Sequence, residues 1–409
     1  MVGRRIRVAG AALPDGGTGA LADLMSTVSD LWPGADIALS RRRHVAPGAA
    51  ALVPVPGSGR PRALVPDDGR AAAGALRRYS SALGPREGVA RALGAVVVRA
   101  VGPARLAGGG RIVIRDDGDG SLGAHLAGVL GEPVRIAVTI GTERVNRKPV
   151  VQAFDARGRT LAFAKVGLSP DSAPHLLREA DALRRVHGAV PGIETPGLVA
   201  QTTWQGHPVV TMTALRSRLP RRGDALAPSA EMDAFSRAFD GGYMPLTAVP
   251  QWRRVSASLR AASDPRPADL VAAVERAAPD TLETGAWHGD WTPWNMARGA
   301  RGGLQLWDFE RFETDVVRGL DRFHHCVNLA VRAAGPDEAA VTRGMEQALR
   351  GVGDARAAHT VGAVYLAAII ERYLLQATSA SGHLVGSRLN ACILALSAWL
   401  ARTGHLRGD

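Results

Sequence analysis

The segment Trp287-His288-Gly289-Asp290-Trp291-Thr292-Pro293-Trp294-Asn295 gathers side chains that can do chemistry. Asp290 and Asn295 stand five residues apart, and Asp308, in Leu306-Trp307-Asp308-Phe309-Glu310, follows thirteen residues later. Phosphoryl transfer from a nucleotide needs a carboxylate near the acceptor hydroxyl and hard oxygen ligands for Mg²⁺. An Asp-x-x-x-x-Asn loop supplies both: the Asp faces the acceptor and the Asn amide oxygen reaches the metal. A second Asp after a short hairpin completes the metal site.

The lysines give an independent signal. Of 50 Lys and Arg residues only two are lysines, Lys148 and Lys165. A solvated surface charge can be either type, whereas a site that needs a compact ammonium cannot use arginine. Lys165 would hold the α- and β-phosphates of a nucleotide. Glu179, fourteen residues on, would orient it by an ion pair.

These groups must be positioned by elements, and the pattern supplies them. Strands are predicted over 135–140, 149–154 and 160–166, with Lys165 near the end of the third. A helix over 173–187 carries Glu179 and has Leu176, Leu177, Ala180, Leu183 and Val186 on one face. Strands follow at 197–203 and 207–212. Beyond Leu215 the pattern is helical, at 231–239, 251–262, 267–278, 316–334, 337–349, 357–377 and 387–401. A loop and a short hairpin interrupt it at 286–313. Residues 1–130 read as a small α/β unit, with strands at 51–56, 63–66 and 111–115 and helices at 69–83, 86–101 and 121–130.

In order and on these elements, Lys165, Glu179, His288-Gly289-Asp290, Asn295 and Asp308 resemble the aminoglycoside phosphotransferase and choline kinase branch of the protein-kinase-like superfamily, over about residues 133–405. The resemblance implies an α+β, two-lobed protein-kinase-like fold: a small α/β N-terminal extension or cap (1–130), a β-rich N-lobe (131–215) and a helical C-lobe with the catalytic and metal loops (216–409). It implies Asp290 as the catalytic residue, Asn295 and Asp308 as Mg²⁺ ligands, and Lys165 with Glu179 as the phosphate clamp. It further implies His288 and Asp321 as structural supports of the loop. Thr211, Met212, Thr213 and Ala214 match an inter-lobe hinge whose backbone pairs with adenine. The implied activity is ATP-dependent transfer of the γ-phosphate to a hydroxyl of a small molecule. Two departures stand out. The turn between the first two N-lobe strands has only Gly141, with Arg147 and Lys148 at its far end as substitute charges, so Lys148 is either a phosphate contact or an ordinary loop lysine. Glu310 stands where protein kinases have Gly, and no Ala-Pro-Glu segment follows, which points away from a protein kinase.

Composition sets the outer limits. The chain has 409 residues, 46% hydrophobic, enough for two or three domains with real cores. The apolar runs 361–370 and 391–400 are too short to span a bilayer. Two cysteines exclude a disulfide scaffold and fit a reducing cytoplasm. The net charge is +12, but aromatics are 5% and the arginines are dispersed, which argues against nucleic acid as a partner. From 290 onward, twelve acids meet thirteen arginines. A polycationic aminoglycoside wants an acidic pocket, so a sugar, amino alcohol or related metabolite is the better acceptor class. Trp291 and Trp294 are either core or acceptor-pocket residues. Two other readings stand beside the kinase. One is an inactive nucleotide-binding scaffold. The other is a dinucleotide enzyme built on Gly118-Asp119-Gly120-Ser121-Leu122-Gly123, a spacing that also suits an Asp/Gly turn capping a helix. His324-His325-Cys326 suggests a metal, but adjacent helix residues point apart.

Overall fold

The computed structural model describes residues 6–7, 18–41, 49–56, 61, 63–108, 110–115, 120–139, 148–239, 241–350, 352–377 and 386–405. The chain forms two compact units. One comprises Met1–Tyr79, Leu83–Arg184 and Pro196–Arg221, the other Ser80–Ala82, Arg185–Thr195 and Arg222–Asp409. The fold class is α+β, with a sheet-rich first unit and a helical second one, as the resemblance implies.

The first unit is built on strands β1 (Ile6–Arg7), β2 (Asp36–Ser40), β3 (Ala50–Val55), β4 (Ala63–Pro66), β5 (Arg111–Arg115), β6 (Arg135–Thr139), β7 (Val150–Phe154) and β8 (Thr160–Val166). After β9 (Ile193–Glu194), which belongs to the other unit, come β10 (Leu198–Trp204) and β11 (His207–Thr213). The ten strands form one sheet in the order β1-β2-β5-β3-β4-β6-β7-β8-β11-β10, with every neighbouring pair antiparallel except β1 and β2.

Helices cover both faces of this sheet, which is why β3, β5 and β6 read as nearly unbroken apolar runs. Side chains alternate along each strand. Leu52, Leu64, Ile112, Ile114, Ile136, Val138 and Val151 face α1 (Thr18–Leu31). Their neighbours Val53, Val65, Ala137 and Phe154 turn the other way, onto α2 (Gly69–Leu76), α3 (Pro85–Val101) and α4 (Pro103–Leu106). Leu122 and Leu126 of α5 (Leu122–Leu130) join the first face. α6 (Ser172–Val186) follows β8.

Because β4 pairs with β6, Ala63 opposite Thr139 and Leu64 opposite Val138, the strands before residue 130 and those after it belong to one sheet. The helix expected over 69–83 stops at Leu76, and α3 starts afresh with Pro85 in its first turn, where its missing N–H costs nothing. Of the Gly-x-Gly-x-x-Gly segment, residues 116–119 lie outside the described residues. Ser121 accepts a hydrogen bond from the Ala124 N–H (3.1 Å) as the cap of α5. Among the described residues the strands on either side of α5, β5 and β6, have only antiparallel partners, so they form no parallel βαβ crossover.

The second unit has α7 (Ser229–Arg237), α8 (Pro250–Arg260), α9 (Arg266–Ala277), α10 (Leu320–Ala334), α11 (Glu338–Leu349), α12 (Ala355–Ala377) and α13 (Gly386–His405). They enclose a core of Trp252, Val255, Val271, Phe323, Met345, Tyr365, Leu366, Ile370, Leu396 and Trp399. Two small sheets carry the loops: β12 (Gly242–Met244), β13 (Leu282–Trp287) and β16 (Glu313–Val317), and β14 (Met296–Arg298), β15 (Leu304–Leu306) and β9. The helix expected to begin at 316 therefore begins at 320. Thr314, Val316 and Val317 are β-branched and pair with β13 instead. Among the described residues, no helix is long and apolar enough to cross a membrane.

Candidate active site

Lys165 is the last residue but one of β8, and Glu179 lies in the middle of α6. Lys165 Nζ is 2.6 Å from both carboxylate oxygens of Glu179, whose side chain is fully buried. Ala164 and Val166 join the core beneath the sheet, so alternation puts Lys165 on the opposite face with Phe163. Along β11, Thr211 and Met212 are buried. The N–H of Thr213 already donates to the Gly197 carbonyl (2.9 Å), and its Oγ1 accepts from the Gly197 N–H (2.8 Å). Ala214 is the first residue beyond the strand. Lys148 is half-buried just before β7, and the loop 140–147, with Gly141 and Arg147, lies outside the described residues.

In the second unit the loop after β13 is braced residue by residue. Asp321, in the first turn of α10, accepts the N–H of His288 (2.7 Å) and of Gly289 (3.0 Å). His288 is completely buried. Its Nε2 lies 3.0 Å from the Trp307 carbonyl, and its Nδ1 accepts the Asp290 N–H (3.1 Å). That pair of partners suits a neutral ring with the proton on Nε2. Burial drives the His288 pKa down to about 4, so the ring stays neutral. Gly289 sits at φ +79, and a Cβ there would meet the Arg311 carbonyl oxygen at 2.5 Å. Only glycine fits this point of the loop. The Gly289 carbonyl accepts from Arg372 of α12 (2.9 Å), a side chain that also lies over the Trp287 ring at 5.4 Å. Arg254 pairs with both Glu371 (2.6 Å) and Glu313 (3.0 Å), which anchors α12 beside β16. Burial and the Arg311 charge lower the Arg372 pKa to about 10, so it remains cationic.

Asp290 is thereby held at the mouth of the loop with its side chain 29% exposed. Asn295, in the single turn Pro293–Asn295, donates from Nδ2 to Asp290 Oδ2 (2.8 Å) and to the Asp290 carbonyl (3.0 Å). Its Oδ1 has no hydrogen-bond partner among the described residues, the state expected of an oxygen free to bind a cation. Asp308 has φ +73, unusual for a residue with a side chain, and is close enough to influence the charge on Asp290 and His288. Burial pushes Asp290 up, but the hydrogen bond from His324 and the Arg372 charge more than offset this, and its pKa lies below the usual carboxylate value. Burial instead raises Asp321 to about 7 against the pull of its two N–H bonds.

Among the described residues no cluster of three or more His, Cys, Asp or Glu forms a metal cage. One amide oxygen and one carboxylate suit Mg²⁺, which keeps waters and takes its other ligands from phosphates. Trp291 is fully buried against Phe235 and His288 and is core. Trp294 is half-exposed with Arg332 over its ring at 5.5 Å. His324 and His325 point apart: His325 Nε2 lies 2.8 Å from the Ala225 carbonyl, and His324 Nε2 lies 3.0 Å from Asp290 Oδ1. Motif reading missed His324 and Arg372. For His324 a signal existed, since it lies three residues past Asp321 on the same helix face. Arg372 has no sequence signal, because only the packing of α12 brings it to Gly289.

No protein-family model matches the chain, and no curated protein sequence does. Among solved structures, a thermostable mutant of aminoglycoside phosphotransferase APH(4)-Ia in its apo form is 14% identical, covering 67% of this chain and 99% of its own (TM-score 0.44). The ternary complex of a related mutant with ADP and hygromycin B is 15% identical, covering 69% and 98% (TM-score 0.45). A putative fructosamine-3-kinase from Haemophilus somnus 129PT is 13% identical, covering 67% and 96% (TM-score 0.40). Each of these likenesses extends over about two thirds of this chain.

Proposed function

We propose that the chain is a small-molecule kinase that transfers the γ-phosphate of ATP to a hydroxyl acceptor such as a sugar or amino alcohol. The observation that carries this reading is the Asp290–Asn295 pair. One amide both steadies the carboxylate through Nδ2 and leaves Oδ1 for a cation. In this reading Asp290 orients the acceptor hydroxyl and takes its proton. Lys165, held by Glu179, clamps the donor phosphates, with Lys148 as a second cation. The backbone at 211–214, from Ala214 outward, receives adenine. His288 and Asp321 hold the loop. Asn295 Oδ1 and Asp308 would hold Mg²⁺, which when bound neutralises charge on the phosphates. The complete donor set argues against an inactive scaffold. The two free, buried cysteines suit a reducing cytoplasm.

Thermal unfolding with Mg·ATP tests the reading. Nucleotide at 100 times its dissociation constant should add about 2.7 kcal/mol, a rise of several degrees. Asp308→Ala should lose the Mg²⁺-dependent part of that shift. Asp290→Asn should keep the shift while turnover falls roughly 10²- to 10⁴-fold. No shift with Mg·ATP, or full turnover in Asp290→Asn, would sink the assignment.

A further inference from the structure

One buried, well-placed side chain has no part in the reaction as set out above. His324, on α10, is 5% exposed, and its Nε2 stands 3.0 Å from Asp290 Oδ1. The ring of Tyr365, from α12, meets it edge-on with centroids 5.9 Å apart. His324 Nδ1 is buried and has no hydrogen-bond partner among the described residues. A buried N–H without an acceptor is rarer and costlier than a buried lone pair, so the ring proton belongs on Nε2. A doubly protonated ring would put an unpaired N–H in the same dry spot. Asn328, one turn along, donates from Nδ2 to the His324 carbonyl (2.8 Å) and lies 3.1 Å from Nε2. An amide nitrogen donates and cannot accept, so the acceptor for Nε2–H is Asp290 Oδ1.

We propose that His324 is a positioning residue for Asp290: its neutral Nε2–H imidazole holds Oδ1 while Asn295 Nδ2 holds Oδ2, fixing the carboxylate plane from both sides. The inference rests on the kinase reading of this site. Each oxygen keeps a lone pair for the acceptor O–H, but the carboxylate has lost its freedom to rotate. Charged groups facing the pair, Arg372 and Arg311, add positive potential without taking either oxygen.

Two measurements test this. The first is a ¹⁵N–¹H correlation spectrum of histidine-labelled protein at pH 7, with His324 assigned through His324→Gln. The expected signal is a neutral Nε2–H ring that moves in Asp290→Asn while His125 and His207 stay in place. An Nδ1–H or doubly protonated ring overturns the proposal, and this readout needs no acceptor. The second is Mg²⁺-dependent ATP hydrolysis, with water as the acceptor. His324→Ala should lower kcat roughly 10- to 100-fold with the KM for ATP within about twofold, and His324→Gln, which keeps an N–H donor, should recover most of the loss. An unchanged kcat, or a rise in KM alone, overturns the proposal. The glutamine variant also covers an alanine variant that does not fold. A wild-type protein that binds no Mg·ATP removes the kinase reading, and the spectrum still decides the His324 hydrogen bond.

Discussion

At the scale of single residues, the loop that carries Asp290 rests on two groups whose protonation works in opposite senses. His288 has a folded pKa of about 4, below its ordinary 6.5, because burial penalises the cation. Its contribution to stability is complete above 6.5 and lost as pH falls toward 4, by at most about 3 kcal/mol. Asp321 is raised to about 7. Its contribution is complete below 3.8 and lost as pH rises through 7. Between pH 5 and 7 the two slopes oppose each other, so wild-type stability should vary little on their account. Urea titrations should separate them. The deficit of His288→Gln relative to wild type should grow as pH rises through this window, and that of Asp321→Asn should shrink. Parallel wild-type and variant curves would show that neither group is held as described. Gly289→Ala acts on the same loop by shape. Positive φ and the Arg311 carbonyl 2.5 Å from the new Cβ should cost about 1–3 kcal/mol. Turnover should fall further than stability, since Asp290 is the next residue.

Elements set where those residues stand, and α10 matters most, because it carries Asp321 and His324. It packs against α11 at Gly344, where an added Cβ would lie 2.4 Å from Val327 Cα. Backbone cannot yield as a flexible side chain can, so Gly344→Ala should force α10 away at a cost of about 1–3 kcal/mol and lower Tm by several degrees. Gly94→Ala is the control. It lies in α3 with nothing within 4 Å of its Cβ position and should gain up to about 1 kcal/mol of helix propensity. Differential scanning calorimetry of both variants checks the contrast, and equal Tm values would refute it. Local spacing made much of this scale legible. Lys165 on a strand, Glu179 on the next helix and the loop at 288–295 fall where period-2 and period-3.6 patterns put them. The start of α10 was not legible, because Val316 and Val317 suit a helix face until β13 offers them hydrogen bonds. Nor was the contact of Arg372 with Gly289, since 83 residues separate them and no periodicity reports on such a distance.

For the whole molecule the question is what residues 1–130 do. Read from the sequence, they look detachable: a small α/β unit of their own ahead of the strands that lead to Lys165. The sheet ties them in: β6 takes β4 as its neighbour, and the same strand presents Ile136 and Val138 to one helical layer and Ala137 to the other. Those layers come from α1 and α5 on one face and α2, α3 and α4 on the other, all contributed from before residue 131. We therefore propose that the extension is a structural half of the first unit. A chain beginning at residue 131 would expose both faces of β6 and β7 and leave β6 as an unpaired edge, the kind of edge that recruits other chains. The expected outcome is aggregation or loss of β-sheet signal in circular dichroism, while the full chain remains folded at the same concentration. It should also lose Mg·ATP binding by calorimetry, because Lys165 hangs on β8, two strands from that edge. A shortened chain that stayed monomeric and bound Mg·ATP as tightly as the full one would make the extension a removable cap after all.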